Sequence, residues 1–140
     1  TISEPSEYEI MRTNSIAKKN RAIQTKLEKV ISYTKQTMVA YMSEEELNRL
    51  CAYIVEYSSG DTLQKISPVK VDSQLKSIDI MHFGWNIGKA FGRKRIHTAT
   101  FIKNVFAHTL CDVEISTIER KMSHTESECH IELDKMWKRH

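Results

Sequence analysis

Acidic residues are missing from one long run of this chain. Between Ile80 and Cys111 there is no Asp or Glu, while Lys89, Arg93, Lys94, Arg95 and Lys103 give the run a charge of +5. The 140-residue whole carries only +3, so the remainder is slightly acidic. His82, His97 and His108 fall in the same run. A patch of one sign attracts polyanions, and phosphate is the commonest of these in a cell. The plainer reading is a solvated basic loop.

Other scarcities exclude whole classes. Only two prolines and four glycines interrupt the chain, which favours long helices. No apolar run approaches the length that crosses a membrane, and no charged-then-apolar leader opens the sequence. Thr1, not Met, stands first, which leaves room for sequence upstream. Cys51, Cys111 and Cys129 are odd in number and widely spaced, so neither a disulfide framework nor a cysteine metal site is expected. A reducing cytoplasm is the expected location. No glycine-rich phosphate loop, nucleophile elbow or helical H-E-x-x-H occurs. No enzyme activity, cofactor, metal or small-molecule substrate is expected.

What is present reads as helix. Ile23, Leu27, Val30, Ile31, Thr34, Met38 and Tyr41 recur at steps of three and four, one buried stripe of a long first helix. Its other face carries Lys19, Arg21, Lys26, Lys29 and Lys35. The start lies near Ser6 or after Asn14, since Arg12–Ser15 is a polar break. Ser43-Glu44-Glu45-Glu46 predicts a capping box, with Glu46 reaching back to the Ser43 N–H. The second helix then buries Leu47, Leu50, Cys51, Ile54 and Val55 and stops at Ser58-Ser59-Gly60-Asp61. With Met42-Ser43 as the join, these two form a hairpin.

A third helix is predicted from Ser73 to Phe91, apolar on several sides and therefore central. Gly84 and Gly88, four apart, invite another backbone to lie close. Gly92 ends it. Thr98 is read as the cap of a fourth helix and Asp112 as the cap of a fifth, which carries Ile115, Ile118 and Met122. A last amphipathic segment holds Ile131, Leu133, Met136 and Trp137.

The fourth and fifth helices, with three or four residues between them, have the outline of a helix-turn-helix, whose second helix reads the major groove. Its outward side would present Ser116, Thr117, Arg120, Lys121 and His124 to phosphates and bases. Glu114 and Glu119 oppose this. Arg93, Lys94 and Arg95, with the N–H groups near Thr98, could clamp a phosphate, and Lys103 belongs to the same basic run. His124, Cys129 and His130 match no zinc frame. Asp79 and His82, three apart, read as a satisfied buried pair. Phe83, Trp85 and Phe91 could stack bases but read better as core.

Phe106-Ala107-His108-Thr109-Leu110 followed by Glu114-Ile115-Ser116-Thr117-Ile118-Glu119-Arg120-Lys121 resembles the C-terminal end of the RteC-type regulators of conjugative transposons. The likeness covers roughly residues 80–135. The family's arginine-rich run is thinned here to Glu119-Arg120-Lys121, and its next segment is echoed by His130-Ile131-Glu132-Leu133-Asp134. The resemblance implies an all-helical bacterial regulator of a mobile element, with a DNA-binding C-terminal domain that acts on transcription.

The expected fold is all-α with five or six helices. Residues 1–66 form the N-terminal hairpin and 67–140 a helix-turn-helix-like unit. Any strand is confined to Val69–Val71 or Cys129–Leu133. The expected partner is duplex DNA, with homodimerisation compatible. The competing expectation is a helical protein-interaction module with no nucleic-acid role.

Overall fold

The computed structural model describes residues 4, 6–60, 66–124 and 129–133. They form five helices: α1 (Glu7–Met38), α2 (Glu44–Ser58), α3 (Ser77–Phe91), α4 (Arg95–Val105) and α5 (Ile115–Lys121). The all-α expectation holds, and no strand occurs among the described residues. The two segments to which any strand was confined, 69–71 and 129–133, are irregular. Met136 and Trp137, expected in a last amphipathic segment, lie outside the described residues.

α1 begins at the earlier of its two candidate starts. The Ser6 hydroxyl accepts from the Glu9 N–H at 3.2 Å, and the Glu9 carboxylate accepts from the Ser6 N–H at 3.3 Å. The helix has two different halves. Every residue from Glu7 to Lys26 is exposed, whereas Val30, Thr34 and Met38 are buried against the body. The stripe from Ile23 to Met38 therefore packs only in its second half, and Ile23 is 55% exposed.

At α2 half of the expected capping box is present. Ser43 accepts from the Glu46 N–H at 3.2 Å. Glu46 turns away from the Ser43 N–H and accepts from the Lys70 N–H at 2.9 Å and from Arg49 at the same distance. Arg49 donates to the Pro68 carbonyl and Tyr53 to that of Ser67. These three side chains hold the 66–70 segment along α2. Val69 is fully buried, its N–H on the Val105 carbonyl at 2.8 Å.

α3 starts at Ser77, four residues later than expected. The Asp72 carboxylate accepts from the Gln74 N–H at 2.9 Å, a local turn that competes with helix. From Asp79 to Ala90 nearly every side of α3 is buried, so it is central. Gly92 ends it in the left-handed region at φ 65°. The small-residue face receives α4: a Cβ on Gly84 would stand 2.8 Å from Ile102, and one on Gly88 would stand 2.9 Å from the Thr98 methyl. What lies against the glycines is a pair of side chains, not a backbone.

One apolar core runs from Val30 to Ile131. Phe83 stacks on Tyr33 and meets Phe106 edge-on, and Tyr57 stacks on Phe101 with centroids 4.3 Å apart. Phe83 and Phe91 thus belong to the packing rather than to a base-stacking platform.

Candidate nucleic-acid interface

Four of the ten candidate contacts are occupied inside the protein. Arg93 donates to the carbonyls of Tyr57 and Ser58 at 3.0 and 3.2 Å, and its guanidinium lies over the Tyr57 ring. It thereby caps the negative end of α2, which has no basic residue in its last turn. Arg95 does the same for α5. It donates to the Glu119 carbonyl through Nε at 3.1 Å and to the Ser123 hydroxyl at 3.0 Å, and it lies over Trp85. Lys103 donates to the carbonyls of Leu110 and Val113 at 2.6 and 2.7 Å, closing the turn before α5.

Thr98 is not a cap. α4 starts one turn earlier, at Arg95, with Lys94 before it, because Gly92 closes α3 so tightly. Thr98 is 1% exposed and its hydroxyl meets that of Tyr57 at 2.7 Å. Burial pushes the Tyr57 phenol above its ordinary range, against the opposing pull of Thr98 and Arg93. Asp112 does not cap α5 either; Glu114 stands before it, with no side-chain cap bond. Residues 106–114 separate the two helices, a longer join than the expected three or four.

The other six candidates are differently placed. Lys94, Ser116, Arg120, Lys121 and His124 are exposed, and Thr117 is half-buried. Arg95 reaches the last carbonyls of α5 and so ties the start of α4, which Lys94 precedes, to the end of α5, where Arg120, Lys121 and His124 lie. The cations sit at the C-terminal end of α5, not in the first turns that a helix-turn-helix aims at the groove.

Asp79 and His82 do not pair with each other. Both hold the segment before Asp134. Asp79 Oδ1 accepts from the N–H groups of His130 and Ile131 at 2.6 and 3.1 Å, and Oδ2 accepts from Lys76. His82 Nδ1 meets the Ile131 carbonyl at 2.8 Å and Nε2 the His124 carbonyl at 2.6 Å. Carbonyls only accept, so the ring nitrogen that bears hydrogen donates to the carbonyl it faces. Asn86 donates to the Glu132 carbonyl and to the Tyr33 hydroxyl. These buried residues form a polar ladder along α3 that straps down residues 130–132.

Among the described residues no three His, Cys, Asp or Glu side chains stand together as metal ligands. No helix of the described residues is long and apolar enough to cross a membrane. Burial raises the Cys51 thiol, partly offset by Lys35. That disfavours the reactive thiolate.

Sequence reasoning gave little weight to the exposed half of α1. From Ile10 to Leu27 there is no acid, while Arg12, Lys18, Lys19, Arg21 and Lys26 are present. The absence of acids, applied to this stretch as to 80–111, was the available signal. No family model matches this chain, and neither a curated protein nor a solved structure is significantly similar to it.

Proposed function

We propose that this protein binds duplex DNA through the edge where α4 begins and α5 ends. The observation that carries this reading is the joint made by Arg95. It ties the start of α4, which Lys94 precedes, to the end of α5, where Arg120, Lys121 and His124 lie, and all four are exposed. Such cations contact phosphates and set register, and Ser116 and Thr117 on the same helix can add hydrogen bonds. The resemblance to RteC-type regulators supports the same partner, with transcription of a mobile element as the process served. Arg93, Arg95, Thr98 and Lys103 act in this reading as the frame.

The test is fluorescence anisotropy of a labelled duplex with the full chain. Changing Lys94, Arg120 and Lys121 together to Ala should weaken binding on every sequence and flatten its salt dependence. If the parent chain fails to bind duplex DNA at low salt, the reading falls.

A second reading, a helical interaction module, draws on the apolar line of α1. Ile16 and Ile23 are 46% and 55% exposed and continue the row of Leu27 and Val30. Sedimentation of the chain alone decides whether a second copy covers them.

A further inference from the structure

The free half of α1 carries an arrangement that the α4–α5 edge does not need. Twenty residues, Glu7 to Lys26, extend beyond the body with every side chain exposed. At 1.5 Å per residue this is an arm of about 30 Å. No side-chain hydrogen bond or ion pair among the described residues engages the charged groups of Arg12, Lys18, Lys19, Arg21 or Lys26. The basic residues of the 80–111 run fare differently, since Arg93, Arg95 and Lys103 already satisfy carbonyl groups.

The five cations fall in two rows. With each residue turning the helix by about 100°, Arg12, Lys19 and Lys26, seven apart, share one row. Lys18 and Arg21 form the second, centred about a third of a turn away. Between the rows stand the small residues Ser15 and Ala22, with Met11 near the tip. Two basic rows flanking a narrow face suit a groove with phosphates on both walls. The B-DNA major groove is wide enough for a helix, at roughly 12 Å, while the RNA major groove is deep and narrow.

Other partners fit less well. A helix lying on a membrane gathers its apolar residues on one face. Here Ile16 and Ile23 share a row, while Ile10 and Met11 point in two other directions around the helix. Two such arms pressed together would bring ten cations into one small volume with no acid between Ile10 and Leu27 to offset them.

We propose that the N-terminal half of α1 is a DNA-binding arm that lies in the major groove, its two basic rows on opposite phosphate walls. It shares the partner of the proposed function but uses a separate site, so each can fail alone.

Full-length parent, an arm variant (Arg12→Ala, Lys19→Ala, Lys26→Ala) and the edge variant would be titrated with a 24-base-pair DNA duplex. The same duplex in RNA and phosphatidylserine vesicles serve as controls. The changed side chains are exposed, so the fold should persist, and circular dichroism checks this. We expect the arm variant to bind DNA at least tenfold more weakly, with the salt slope reduced by about 3 for three lost phosphates. Replacing Lys19 and Lys26 by Arg should keep parental affinity. A loss in the arm variant with none in the edge variant supports the arm and removes the edge. Parental DNA affinity in the arm variant overturns the proposal. So does binding of the RNA duplex as tight as DNA, or capture by the vesicles without DNA binding.

Discussion

The hydroxyl of Thr98 meets the hydroxyl of Tyr57 at 2.7 Å while its methyl lies where a Cβ on Gly88 would point. One α4 residue thus fixes the approach of α2 and of α3 at once. Gly88→Ala should therefore destabilise the protein, although Ala is the better helix former by about 1 kcal/mol. Gly88→Leu should be worse, by an overpacking penalty of about 1–3 kcal/mol. Thermal melts check both, and a Gly88→Ala protein that melts at or above the parent would show that α4 can move away cheaply.

Arg95 and Lys121 differ in what they hold. Arg95→Ala removes the donor from the end of α5, with a loss of about 1–3 kcal/mol for charged hydrogen bonds. Arg95→Lys should recover little of it, since one ammonium cannot reach Glu119 and Ser123 together. Lys121→Ala should leave the denaturant midpoint unchanged. Equal midpoints for all three would deny Arg95 its framing role.

Asp79→Ala would strand three N–H groups, those of Lys76, His130 and Ile131. The Ile131 donor is buried, and stranding it carries a penalty of about 1–3 kcal/mol, while exposed Lys76 and His130 can turn to water. Amide exchange at Ile131 should quicken strongly in this variant and less in Asp79→Asn. Unchanged exchange would mean that the strap is held by Ile131 packing alone.

Tyr33 and Tyr57 are both raised above the ordinary phenol value of 10.0, chiefly by burial. A raised phenol favours the neutral, folded form. Stability from this source is complete below that ordinary value and falls as pH rises past it. Phenolate absorbance should show Tyr33 and Tyr57 ionising only as the fold opens.

Cys111 is exposed, whereas Cys51 is half-buried with its thiol pushed up by burial. A thiol reagent at neutral pH should label Cys111 well before Cys51, as peptide mapping would show. Equal labelling would mean that α2 opens readily from the core.

The helical class and some helix ends were legible because their signals are local. Ser6 with Glu9, Ser43 with the Glu46 N–H, and Gly92 act within a turn or two. The central place of α3 was readable from apolar residues on all its sides. The duties of the cations were not. Arg93 finds its carbonyls 36 and 35 positions away, Arg95 finds Glu119 at 24, and Asp79 finds His130 at 51. A guanidinium looks the same in sequence whether it awaits a phosphate or caps a distant helix. Charge pattern alone determined that this chain has two acid-free basic stretches. Only the packing of α4 between α2, α3 and α5 decided which one remains free, because helix ends expose negative carbonyl groups and the nearest cations are drawn to them.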